Sequence, residues 1–131
     1  MKKTKILIIG AEQFLQETML EPELKALKAE YEVLFADNAT DALDKIAKAK
    51  LLEKNPIYGL VFQRNTLVCN RERCGLVAKF AESYSDQLVT SINMLWNEQD
   101  TDARNAAVSA DYCESDDWKK VKDIFDARFK K

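Results

Sequence analysis

The chain contains no histidine, which removes the commonest general base, the Ser–His and Cys–His nucleophile pairs and histidine-ligated zinc. Three thiols remain, Cys69, Cys74 and Cys113, an odd number with four residues between the first two. A metal site wants a closer pair and a second pair to complete it. Reduced thiols are expected; a redox pair of Cys69 and Cys74 is the sharper alternative, with no neighbouring histidine to lower a thiol pKa. Gly10-Ala11-Glu12 is not a glycine-rich phosphate loop, and only 3 glycines leave few backbone anion nests. Arg64 reads either as a fixed charge or anion contact, or as an exposed loop arginine. Trp96, with Leu95 beside it, and Tyr112 are of the size that anchors interfaces. The plainer reading is that Trp96 packs locally. Catalysis, a metal and a cofactor are not expected.

These side chains must be placed by elements that the pattern of the chain reveals. With 131 residues, 47% hydrophobic and 32% charged, the sequence fits one globular domain spanning residues 1–131. Twenty basic against 22 acidic residues give a net charge of −2, which offers no pull toward nucleic acid. The apolar run Ile6 to Ile9 is too short for a secretory leader, and no stretch has the apolar length to cross a bilayer. A cytoplasmic location is expected.

Ile6 to Ile9 reads as a strand buried on both faces. Residues 12–30 have helical spacing, interrupted at Pro22. A second strand covers Glu32 to Ala36. Asn38 then caps a helix, with Asp41 three positions on as a near capping box, and Leu43, Ile46, Ala47 and Leu51 as its buried face. Ile57 to Gln63 forms the third strand, followed by a polar loop from Arg64 to Arg73. A helix bears Leu76, Val77, Phe80 and Ala81. Gln87 to Ile92 reads as the fourth strand, Glu98 to Ala107 as a weak helix, and Val108 to Cys113 as the fifth strand. The last helix has a buried stripe of Trp118, Val121, Ile124 and Phe125, while Lys119, Lys120 and Lys122 form a solvated face. The result is five strand–helix units, predicting an α/β, doubly wound parallel sheet of flavodoxin-like order 2-1-3-4-5 with about five helices.

Several stretches resemble the receiver domain of two-component response regulators. Lys5 to Ile9 matches the way those domains begin. Tyr31 to Leu43 resembles their second strand, its turn and the next helix. Tyr58 to Phe62 looks like their third strand, and Cys74-Gly75-Leu76 like the Asp-Gly-Leu that opens their third helix. Ser109-Ala110-Asp111-Tyr112 is similar to the Gly-Ala-Asp-Tyr of their fifth strand. The match spans nearly the whole chain.

The resemblance implies a phosphoacceptor aspartate after the third strand and an acidic pair after the first strand for Mg²⁺, which prefers carboxylate oxygens. A Thr or Ser after the fourth strand and a Lys after the fifth would hold the phosphoryl group. This sequence departs at these positions. The acidic pair falls on Gly10 and Ala11, with Glu12 nearby. The phosphoacceptor falls on Arg64, or on Gln63 in a register one residue earlier. The Thr position falls around Ser91 to Asn93, and Glu114 stands near the place of the lysine. Neither Gln nor Arg forms an acyl phosphate, and Arg64 is expected to pair with Glu12 or a nearby carbonyl.

The implied function is a degenerate pseudo-receiver, a non-catalytic signalling module that is not switched by aspartyl phosphorylation. Its partners would be other signalling proteins or a second copy, contacting the fourth-helix, fifth-strand and fifth-helix face through Leu95, Trp96 and Tyr112. Two alternatives stay open. One is a flavodoxin-like binder of a small molecule or anion at the strand C-termini; the other is a receiver with its acceptor elsewhere, Asp37 and Glu12 being the nearest carboxylates.

Overall fold

The computed structural model describes residues 3–10, 22, 24–86, 88–115 and 117–130. Strand β1 (Lys5–Ile9) is buried at every position, as the middle of a parallel sheet requires. It lies between β2 (Glu32–Ala36) and β3 (Ile57–Phe62), with β4 (Thr90–Leu95) and β5 (Asp111–Glu114) continuing outward from β3. The order is β2-β1-β3-β4-β5 and every pairing is parallel, which is the expected doubly wound, flavodoxin-like sheet. The helices are α1 (Lys25–Glu30), α2 (Ala39–Leu51), α3 (Arg64–Cys69), α4 (Arg71–Ser83), α5 (Thr101–Ala106) and α6 (Trp118–Phe129). The earlier part of the expected first helix, with Glu12, falls on residues 11–21, outside the described residues. Among the described residues no helix is long and apolar enough to cross a membrane.

Alternation along the strands divides the apolar residues between two cores. Leu7, Ile9, Leu60 and Phe62 face one way and meet α2, α3 and α4 through Ile46, Leu67 and Val77. Ile6, Ile8, Val61 and Ile92 face the other way and meet α1 and α6 through Leu27, Val121 and Phe125. On that second face Gly59 matters, because a Cβ there would lie 2.8 Å from the Phe125 ring. The aromatic stack of Phe125 and Phe129, 5.6 Å between centroids, is completed by Tyr31, whose hydroxyl donates to Asp126 at 2.6 Å.

Several elements differ from expectation. The stretch from Arg64 to Arg73 is not a polar loop: it holds α3 and the start of α4, separated by Asn70. The buried stripe of α2 is Ala39, Ala42, Ile46 and Ala49; Leu51 is exposed, and Leu43 only flanks the core. Small side chains let that helix sit close to the sheet, and this turns the face away from the larger leucines. On α4, Cys74, Val77 and Ala81 are buried while Leu76 is exposed. Strand β4 lies three residues later than expected, so Ser91, Asn93 and Leu95 are inside it. Lys122 is not simply solvated, since it pairs with Asp126 at 2.7 Å.

Candidate functional site

Gly10 after β1, Gln63 after β3 and the connection after β4 stand at the C-terminal end of the sheet. Two backbone bonds knit that end: Gly10 N–H to the Ala36 carbonyl at 2.8 Å and Gln63 N–H to the Ile9 carbonyl at 3.0 Å. Gly10 has φ +104°, a conformation glycine adopts freely and other residues rarely do. A Cβ at this position would lie 1.9 Å from Thr66 Oγ1 and 3.1 Å from Gln63 Cβ. Thr66, on α3, therefore fills the space that a side chain at residue 10 would need. Ala11 and Glu12, the other expected members of this cleft, lie outside the described residues.

Arg64 is the first residue of α3 and turns toward the loop after β4. Its Nε donates to Asp100 Oδ2 at 3.1 Å and its Nη2 to Oδ1 at 3.4 Å. Both side chains are largely buried, 13% exposed for Arg64 and 4% for Asp100. Asp100 also accepts from the backbone N–H of Trp96 at 2.9 Å and, as the N-cap of α5, from that of Ala103 at 3.2 Å. The Arg64 bond, helped by these backbone donors, holds the Asp100 carboxyl below the usual carboxylate range. Asp102 stands 3.9 Å from Arg64 Nη2 on the exposed rim. Arg64 is thus not an exposed loop arginine; its Nη1 donates to the neighbouring Asn65 side-chain carbonyl at a long 3.5 Å. Its partner is a carboxylate across the cleft.

The same guanidinium lies 3.6 Å from the centroid of the Trp96 ring, a close cation–π stack. Trp96 is nevertheless 62% exposed. An open depression of about 410 Å³ runs from Arg64 and Trp96 past Asn97 to Thr101 and Asp102.

Leu95 does not share this surface: it ends β4 and is 2% exposed, paired in register with Glu114. Its expected place in a partner face is corrected by that burial. Tyr112, on β5, is half-buried, with the Arg104 guanidinium 5.2 Å from its ring. Glu114 is exposed at the end of β5 and borders a cavity of about 280 Å³ with Arg104, Tyr112 and Lys120. Ser91 and Asn93 are buried within β4 and do not reach the end of the sheet as a Thr after the strand would. Asn93 instead secures the segment before β5, donating to Ser109 Oγ and the Asp111 carbonyl at 2.8 Å each and accepting from Val108 N–H at 2.9 Å.

Sequence reasoning found Gly10, Gln63, Arg64 and Trp96 but missed Thr66 and Asp100. An Asp directly ahead of a short helical stretch is a recognisable N-cap, so Asp100 carried a signal. Thr66 carried one in Leu67, which is seven residues from Cys74 and shares its buried face. Among the described residues no three carboxylates or thiols converge as a metal ion would require.

No protein-family model matches the chain, and no curated protein does. A solved structure is similar: the receiver domain of the Saccharomyces cerevisiae response regulator Ssk1, co-crystallised with the histidine phosphotransfer signalling protein Ypd1. The superposition has a TM-score of 0.52 at 13% identity and covers 87% of this chain and 79% of that one. In fold, this chain is similar to a receiver domain.

Proposed function

We propose that this protein is a receiver-like regulatory module that catalyses no reaction, acts through protein contacts and is not switched by aspartyl phosphorylation. The observation that carries the reading is the chemistry at the end of β3. Gln63 and Arg64 stand there, an amide and a guanidinium, and neither forms an acyl phosphate. The Arg64 charge is already committed to Asp100. Thr66 occupies the room beside Gly10 where a metal-holding carboxylate would begin. What this end does offer is an exposed tryptophan of the kind that dominates interface energetics, with Tyr112 on the neighbouring β5. The partner would be another signalling protein or a second copy of the chain.

Two measurements test the two halves of the proposal. Amide NMR spectra recorded with Mg²⁺ and beryllofluoride together are expected to match those of the protein alone. A saturable shift on adding both overturns the phosphorylation-independent reading, including a shift centred on Asp37 or Glu12. For the contact surface, Trp96→Ala is compared with the parent by thermal melt, ultracentrifugation and partner capture. Loss of a central interface Trp typically costs at least ~2 kcal/mol, about thirtyfold in affinity. A folded Trp96→Ala protein that keeps every association of the parent removes Trp96 from the contact surface.

A further inference from the structure

We infer that Arg64 and Asp100 are positioning residues that hold Trp96 in its docking geometry before any partner arrives. The inference rests on the reading of Trp96 as a contact residue and adds how that contact is prepared. Three elements converge on one carboxylate. Asp100 receives the Arg64 fork from α3, the N–H of Trp96 from the end of β4 and the N–H of Ala103 from α5. The guanidinium that binds the carboxylate through its edge stacks on the indole through its face. The planar guanidinium therefore holds the ring of Trp96 through its face and, through its edge, the Asp100 carboxylate that accepts from the Trp96 N–H, a double use for which only arginine among the cationic side chains is shaped.

The donors around Asp100 favour its carboxylate in the fold, yet a buried ion pair is not the only way to stabilise such a junction. Withdrawing two charges from water is unfavourable, and apolar residues of similar volume often stabilise as well or better. A cation in the first turn of α3 also opposes that helix's own dipole. What the pair supplies is geometry. An exposed tryptophan in a five-residue connection, residues 96–100, would otherwise sample several rotamers and lose that freedom on binding. Here the ring is stacked on Arg64 while still 62% exposed.

The test needs no partner. Residue-level hydrogen exchange is measured on the parent, on Arg64→Met, which keeps the stem and removes the fork, and on Arg64→Lys, which keeps the charge without the plane. The Trp96 amide is expected to exchange at least ~10-fold faster in Arg64→Met and to be incompletely rescued in Arg64→Lys. The β1 amides of Leu7 and Ile8 should keep their protection. Should Arg64→Met lose β1 protection as well, the decision passes to Arg64→Lys and to Asp100→Asn, which keeps the cap acceptor but not the charge. Unchanged Trp96 exchange in the folded variants overturns the inference. If that happens while Trp96→Ala still abolishes association, the contact surface stands and only its preorganisation falls.

Discussion

Cys74 and Cys113 lie one in each core, and burial pushes their thiols up to about 11 and about 12, the latter with help from the negative charge of Asp117. Cys69 is exposed at the end of α3. Thiolate is the reactive form, so the two buried sulfurs are chemically quiet near neutrality. At pH 8 a maleimide is expected to label Cys69 within minutes, while Cys74 and Cys113 react only as the protein unfolds. Peptide mass spectrometry after timed quenching reads this directly. Fast labelling of Cys74 together with Cys69, or a disulfide between them under mild peroxide, would restore the redox-pair reading. The same contrast separates the two arginines that border the site. Arg64 is defined by a buried carboxylate, whereas Arg104 donates to the Glu98 carbonyl at 2.7 Å and stays at the surface.

The elements that sequence patterning located well are those whose burial is simple. Strand β1 is apolar from Ile6 to Ile9, and Asn38 accepts from the Asp41 N–H at 2.9 Å while Asp41 accepts from the Asp37 N–H at 3.2 Å, close to the capping box expected of them. The elements misplaced are those whose polar residues have tertiary partners. Helix α3 reads RNTLVC, in which Asn, Thr, Val and Cys are weak helix formers and one residue, Leu67, is buried, so its stability comes from packing that local propensity does not record. Strand β4 reads TSINML, and the expected strand ended at Ile92, short of Asn93, whose side chain is saturated by Ser109, Asp111 and Val108. The site was legible to the same extent. Gly10, Gln63, Arg64 and Trp96 could be placed because the strand order places them, but the Arg64–Asp100 pair spans 36 residues and depends on a helix read as a loop.

Across the whole molecule the two ends of the sheet are built differently. At the N-terminal end the buried Lys5 ammonium is enclosed by Glu32, at 3.4 Å, and Glu53, and Tyr58 donates to Asp86. Paired charges line that end, while the exposed Trp96 stands at the opposite one. The contact between Thr66 and Gly10 gives that opposite end a direction in sequence space. A carboxylate side chain placed at residue 10 would bring its Cβ to 1.9 Å from Thr66 Oγ1, on a backbone at φ +104°. Overpacking and backbone strain together would cost about 2 kcal/mol or more. Gly10→Asp is therefore expected to melt clearly below the parent, and adding Thr66→Ala to recover part of the loss, since the nearest atom goes but the backbone strain stays. A Gly10→Asp protein as stable as the parent would show that the loop simply rearranges. With the contact in place, the space for a side chain at residue 10 depends on what stands at residue 66: the two positions are coupled, and the side chain carried at one limits what the other can hold.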